Sequence, residues 1–287
     1  MRSPDLFRIG ERIVRVVRAP VFSSEGETLA TVVVLHDMTR DVAIDRAKTN
    51  FIATISHELR TPLTVINGNA DLLGRQLVGP LSEEQQMLVS GIHTYARTMT
   101  ALVNNVITIA GLDSGTLTFD TESVALADAL QRVIGPVRRA AAAKGLAFEV
   151  DIPDDLPEAL ADPVHLPQAL AQLLDNAVRY TLSGKVRLSA ARYGDVVRID
   201  VCDTGPGIAP EQRETLFTRF ARGAEGLNSS ERGMGLGLAI ASELIQRQGG
   251  SLWLEHSSPE GSTFSLTLPC TADEAVDEQT PTVASIT

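Results

Sequence analysis

His57, Glu58 and Thr61 stand in the run Phe51-Ile52-Ala53-Thr54-Ile55-Ser56-His57-Glu58-Leu59-Arg60-Thr61-Pro62-Leu63. Apolar residues recur in steps of three and four at Ile52, Ile55, Leu59, Leu63, Ile66, Ala70, Leu73 and Leu77, which marks one buried stripe on a helix. His57 lies two residues past Ile55, about 200° around the helix from it. Its imidazole therefore points to solvent, with a carboxylate beside it. A histidine aimed outward from a rigid helix suits chemistry on a molecule that arrives from outside.

Three later segments have the residue types of a ligand site. Gln172-Leu173-Leu174-Asp175-Asn176-Ala177-Val178-Arg179-Tyr180 reads as helix and puts Asn176, Arg179 and Tyr180 within one turn. An Asn carbonyl suits Mg²⁺ and an Arg suits a phosphate. Asp203-Thr204-Gly205-Pro206-Gly207-Ile208 follows a strand. Its glycines let a ligand approach the backbone, and Asp203 can accept a hydrogen bond from an exocyclic amine. Gly233-Met234-Gly235-Leu236-Gly237-Leu238-Ala239-Ile240 opens a helix, where exposed N–H groups and the helix dipole favour anions. Between the last two, Ala221 to Arg232 is rich in Gly, Ser and charge and has the makings of a lid. Each segment alone is a weak signal, because a Gly-rich turn is more often only a turn. Their joint occurrence in this order makes the bland reading hard to hold.

The elements that must position these residues follow from periodicity. Val- and Ile-rich runs at 12–20 and 28–35 flank the turn-like Ser23 to Glu27 and predict a short N-terminal β-hairpin. Asp37-Met38-Thr39 leads into a helix over about 41–77, with a kink expected at Pro62. Gly79-Pro80 ends it, and Ser82 with Gln85 forms a capping box for a second helix. That helix carries a heptad seam at Leu88, Ile92, Tyr95, Met99, Leu102, Val106 and Ile109. One antiparallel hairpin cannot cover both seams, so two chains are expected to pair as a homodimeric four-helix bundle. Beyond Gly111 to Gly115, helices are expected at 123–144, 163–181 and 236–248, and strands at 146–152, 185–191, 196–202, 251–255 and 262–268. Helices mixed with antiparallel strands suggest a two-layer α/β sandwich. From Thr271 the chain turns polar and acidic, and a disordered tail is expected over 271–287.

Bulk composition bounds the function. The 287 residues suffice for two domains, and 44% hydrophobic content with only 4% aromatic predicts an aliphatic core. A net charge of −11 argues against a nucleic-acid partner. Cys202 and Cys270 supply neither a disulfide framework nor a metal pattern, which fits a reduced cytoplasmic setting. No apolar run approaches a membrane span, so membrane attachment is expected only if a longer parent chain carries one. His36, His93, His165 and His256 lack metal-ligand spacing. Asp162-Pro163 reads as the cap of the helix that follows.

With these motifs in place, the chain resembles the sensor histidine kinases of two-component systems. Phe51 to Leu63 is similar to their H-box, Gln172 to Tyr180 to the N-box and Asp203 to Ile208 to the G1 box. Leu216-Phe217-Thr218-Arg219-Phe220 is similar to the F-box, and Gly233 to Leu238 to the G2 box. The resemblance covers about 41–269 with the motifs in family order. It implies a dimerisation and phosphotransfer domain at 41–112 and a Bergerat-type ATP-binding domain at 113–270. The segment 1–40 resembles the C-terminal part of a PAS domain, with its Asp-x-Thr exit.

The resemblance further implies autophosphorylation of His57 from ATP and transfer of the phosphoryl group to an aspartate of a response regulator. A histidine of ordinary pKa is largely neutral at pH 7, so a ring nitrogen can attack. Glu58 would orient or deprotonate it. Asn176 would hold Mg²⁺, Arg179 a phosphate and Asp203 the adenine amine, with Tyr180, Gly205, Gly207, Gly233, Gly235, Gly237 and Leu238 shaping the nucleotide site. Thr61, four after His57, goes in the family with phosphatase activity toward the regulator. Two positions depart from the pattern: Gln172 stands where Asn is frequent, and Met234 where a small residue is. The rival readings are a nucleotide-binding scaffold without chemistry, another Bergerat ATPase and a net phosphatase. The presence of His57, Glu58 and Asn176 counts against the first, and the His-Glu pair on a bundle helix against the second.

Overall fold

A computed structural model describes residues 6–24, 26–153, 155–221 and 235–270. The tail expected at 271–287, residues 222–232 of the segment expected to form a lid, and Gly233 and Met234 lie outside the described residues. The chain divides into two compact units, Met1–Leu117 and Thr118–Thr287.

The first unit opens with β1 (Leu6–Ile9), β2 (Arg12–Phe22) and β3 (Thr28–Asp37), an antiparallel sheet in that order. The expected hairpin is β2–β3. The strand β1 was missed because four residues are too few to show a period. Val14 is buried, while Val17, Val32, Val33 and Val34 are exposed. At the exit, the Asp37 carboxylate accepts the Thr39 hydroxyl (2.6 Å) and N–H (3.0 Å), and Thr39 Oγ1 accepts the Ile13 N–H at 2.9 Å. The Thr39 hydroxyl, then its N–H, hold the Asp37 carboxyl below its ordinary pKa.

Two long helices follow, α1 (Thr39–Gly74) and α2 (Glu83–Ser114). Pro62 lies inside α1, whose helical run is unbroken through it. The capping box forms as expected: Ser82 Oγ accepts the Gln85 N–H at 3.3 Å, and Gln85 Oε1 accepts the Ser82 N–H at 2.9 Å. Replacing Ser82 with Ala is expected to cost about 1 kcal/mol. Urea unfolding followed by circular dichroism should show the lower midpoint, with Ser82→Asp restoring it.

The apolar stripes divide in a way the periodicity did not show. On α1, Ser56, Leu63 and Ala70 are buried, whereas Ile55, Leu59, Ile66 and Leu73 remain exposed. On α2 the buried positions are Ala96, Thr108, Ala110 and Leu112, and Val89, His93, Thr100, Val103 and Ile107 are half-buried. The row through Val89, Ala96, Val103 and Ala110 is displaced by one residue from the expected seam. Asn67 Nδ2 donates to Thr100 Oγ1 at 3.3 Å, and Arg60 to Asn104 Oδ1 at 3.1 Å, which fixes this face of α2 against α1. The expected seam is largely left open, with Leu88 69% and Ile92 52% exposed. Leu63, Ile66, Leu88, Ile92, Tyr95 and Met99 line an apolar groove of about 470 Å³ along it.

The second unit contains β4 (Glu122–Val124), α3 (Leu126–Ala143), β5 (Ala147–Asp151), β6 (Ala159–Ala161), α4 (His165–Tyr180), β7 (Lys185–Tyr193), β8 (Val196–Asp203), α5 (Pro210–Arg213), α6 (Gly237–Arg247), β9 (Ser251–Ser258) and β10 (Gly261–Pro269). Five strands form a sheet in the order β5-β7-β8-β10-β9, antiparallel except for the parallel pair β5–β7. That parallel pair corrects the expectation of antiparallel strands alone. The helix expected from 123 also needs correction, since Glu122–Val124 pairs with Ala159–Ala161 and α3 begins only at Leu126. Tertiary pairing there overrides local propensity.

Alternation along the strands turns Val186, Leu188, Val197, Ile199, Val201, Leu266 and Leu268 inward. Buried with them are Leu130 of α3, Leu166, Leu170, Leu173 and Leu174 of α4, and Ile240, Leu244 and Ile245 of α6. The core is aliphatic, as the composition implied. The opposite sheet face carries the ion pairs Lys185–Glu149, Arg187–Asp151 and Arg198–Asp200. Among the described residues, no helix is long and apolar enough to cross a membrane.

Candidate functional site

His57 and Glu58 are exposed on α1, next to the buried Ser56. Burial of Ser56 and Leu63 on one face of the helix is what turns His57 outward. Thr61, one turn on, is also exposed, and its hydroxyl donates to the His57 carbonyl at 3.4 Å.

The other expected residues gather in the second unit, around the C-terminal half of α4, the end of β8 and the start of α6. Gln172, Asn176, Arg179 and Tyr180 are half-buried on α4. Gly237 begins α6 so close to them that a Cβ there would lie 2.6 Å from Gln172 Oε1 and 3.8 Å from Asn176 Nδ2. The first turn of α6, with N–H groups that have no partner within the helix and the positive dipole end, is thereby placed beside Asn176. Leu238 is half-buried in that turn. The Lys144 ammonium donates to the carbonyls of Val178 (3.1 Å) and Arg179 (2.9 Å), which holds the end of α4.

Asp203 closes β8. Burial pushes its carboxyl above the ordinary aspartate pKa, and the N–H groups of Gly205 and Ser262 offset only part of that cost. Its Oδ1 accepts the Gly205 N–H at 2.8 Å. Gly205 is buried, and a Cβ there would lie 2.8 Å from Asp203 Oδ1 and 3.1 Å from the Tyr180 carbonyl oxygen, so this loop packs closely on the end of α4. Gly235 has φ +68°, and its carbonyl accepts the Phe220 N–H at 2.8 Å. Phe220 and Gly235 are thus tied together. The ring of Phe217 meets Phe264 of β10 edge-on at 6.4 Å.

Gly207 has φ +74°, and a Cβ there would lie 2.0 Å from the Ser258 carbonyl oxygen. Neither the backbone angle nor a backbone atom can yield cheaply. Gly207→Ala is expected to destabilise the second unit by about 3 kcal/mol. The single tryptophan, Trp253 of β9, reports that unit, and its fluorescence in urea measures the loss.

Sequence reasoning missed the braces of this loop. The Ile208 N–H donates to Ser257 Oγ at 2.8 Å, and Arg213 donates to the carbonyls of Ile208 (3.1 Å) and Ser257 (3.0 Å). Gly261, at φ +146°, sits where a Cβ would lie 1.9 Å from the Asp203 carbonyl oxygen. The run Ser258-Pro259-Glu260-Gly261 is a turn signal that marks the position but not its neighbour.

The geometry offers a half-buried carboxylate for an amine, a helix N-terminus for phosphates and an Asn carbonyl for a hard cation. Two family models match the chain: the His Kinase A (phospho-acceptor) domain over residues 47–115, and the histidine kinase-, DNA gyrase B-, and HSP90-like ATPase over residues 161–272. The chain carries both domains of the histidine kinase family. His57 falls within the first match, and Asn176, Asp203 and Gly237 within the second.

Curated relatives agree. The non-motile and phage-resistance protein of Caulobacter vibrioides is 36% identical over 231 residues, which is 78% of this chain and 27% of that protein. The sensory/regulatory protein RpfC of Xanthomonas campestris pv. campestris is 33% identical over 257 residues, 86% of this chain and 35% of that one. The chain therefore spans about a third of the length of these relatives. Among solved structures, full-length ShkA in complex with AMPPNP superposes with a TM-score of 0.60 at 33% identity, covering 78% of this chain and 46% of ShkA.

Proposed function

We propose that this chain is the catalytic part of a sensor histidine kinase, which phosphorylates His57 from ATP and passes the phosphoryl group to an aspartate of a response regulator. The observation that carries this reading is the convergence of Asn176, Asp203, Gly205 and Gly237 in one unit, beside a chain that also presents His57 and Glu58 to solvent. Domain limits of 1–40 for a PAS-like segment, 41–112 for dimerisation and phosphotransfer and 113–270 for ATP binding accompany it.

In the reaction the bond between the γ-phosphorus and the ADP oxygen breaks, and a bond to a His57 ring nitrogen forms. Glu58 takes or orients the imidazole proton. The Asp203 carboxylate accepts from the adenine amine, and the first turn of α6 with Arg179 faces phosphate oxygens. Asn176 would hold Mg²⁺, which neutralises triphosphate charge when bound. Gln172 abuts Gly237 from the same helix face as Asn176.

The open apolar seam around Leu88, Ile92, Tyr95 and Met99 supports a homodimer in which a second hairpin covers it. Thr61, exposed one turn from His57, would orient a water against a phosphorylated regulator, and dephosphorylation would then use the same surface. ATP as substrate implies a cytoplasmic location for these domains. Incubation with γ-³²P-ATP and Mg²⁺ tests the reading. Acid-labile, base-stable label on the protein is the expected result, and a chain that binds ATP yet stays unlabelled overturns it in favour of a scaffold or phosphatase.

A further inference from the structure

The two helices that carry the nucleotide-site residues run antiparallel. Gly237, at the start of α6, lies against Gln172 and Asn176 in the later half of α4. Their other ends meet at Asp162, just before α4, and Gln248, just after α6. Gln248 Oε1 accepts the Asp162 N–H at 2.8 Å, and Gln248 Nε2 donates to the Leu244 carbonyl at 2.7 Å. Both residues are buried, at 4% exposure each.

The Asp162 carboxylate makes three more bonds. Oδ1 accepts the N–H groups of Val164 (2.8 Å) and His165 (2.9 Å), which caps α4. Oδ2 accepts the Asp120 N–H at 2.9 Å. Asp120 belongs to the segment by which the chain arrives from α2, and the ring of its neighbour Phe119 lies 4.8 Å from that of His165. One buried residue thus joins the incoming chain, the N-terminus of α4 and the C-terminus of α6. Burial alone would raise its pKa, yet the three N–H donors together hold it below the ordinary value.

We propose that Asp162 and Gln248 are positioning residues of the nucleotide site, fixing the register of α4 against α6 and tying that register to the chain from α2. This rests on the nucleotide-binding reading above. Helix α4 is about 24 Å long at 1.5 Å per residue. A rotation of a few degrees at the Asp162 end therefore moves its far end by roughly 1 Å, a displacement of the size that costs a reacting site about a hundredfold. The state of the incoming chain would reach Asn176 and Gly237 by this route.

The test compares the whole chain with Asp162→Asn, Gln248→Met and the double variant, using Mg²⁺–AMPPNP as probe. Leu188→Ala, a cavity on the inner face of β7, serves as a control for lowered stability alone. Titrations are run where Trp253 fluorescence shows every variant folded. We expect both single variants to weaken AMPPNP binding about tenfold, with the double variant no weaker than the poorer single one, while the control stays near wild type. Affinities that follow only the unfolding midpoint, control included, overturn the proposal and leave Asp162 a cap. A wild-type chain that binds no AMPPNP sinks the nucleotide reading itself, and this inference with it.

Discussion

His57→Gln should leave the protein folded and reduce acid-labile phosphorylation to background, a loss of about a thousandfold or more. The side chain is exposed on the surface of a long helix, and such substitutions change stability by only about 0.5 kcal/mol. Circular dichroism should therefore match the wild type, and AMPPNP should bind with unchanged affinity because the nucleotide residues lie in the other unit. The loss then reports the missing nitrogen nucleophile. Label of the same stability on the variant would move the acceptor to another residue. A Glu58→Gln protein should fall between the two, since the carboxylate assists the proton while the imidazole forms the bond.

Asp203→Asn should weaken ATP binding by about a hundredfold without unfolding the second unit. The amide keeps an oxygen for the Gly205 N–H, but it presents a donor where the adenine amine needs an acceptor. The sign of the stability change separates this from damage to the fold. The Asp203 carboxyl titrates above its unfolded value because it is buried. Ionisation therefore subtracts stability, a penalty absent below the unfolded pKa and complete above the raised folded one. Asparagine removes that penalty, so the Trp253 unfolding midpoint at neutral pH should not fall. For the wild type, ATP affinity should decline on acidification sooner than an ordinary aspartate would dictate, since the carboxylate is the binding form. A lower midpoint together with an unchanged nucleotide affinity would assign Asp203 to the fold alone.

Much of this molecule was legible in its residues. The exposure of His57 was expected from the three-and-four spacing of Ile52, Ile55, Leu59 and Leu63, because helical geometry converts spacing into direction, although the face that is buried runs through Ser56 and Leu63 and leaves Ile55 and Leu59 exposed. The Ser82–Gln85 capping box and the Asp162 cap are likewise local, with donors and acceptors within three residues of one another. The glycine-rich runs were recognisable as turns, and Gly207 (φ +74°) and Gly235 (φ +68°) hold backbone angles that few other residues tolerate.

Other features needed the fold. Which of two adjacent rows on α2 would meet α1 depended on a displacement of one residue, about 100° of helix. Both rows are apolar enough to serve, and packing chose the one through Ala96 and Ala110. The short strands β1, β4 and β6 hold too few residues to show a period, and only their partners define them. The braces Ser257 and Arg213, and the contact of Gly261 with the Asp203 carbonyl, join β8 to the β9–β10 turn across more than forty residues of sequence. The sequence by itself therefore determined the motifs, their order and the direction of His57, because those depend on near neighbours. Only the tertiary structure decided that Gly237 lies against Asn176, that the loop after Asp203 reaches Tyr180, and that Asp162 and Gln248 join the opposite ends of α4 and α6, because sheet pairing and core packing bring distant segments together.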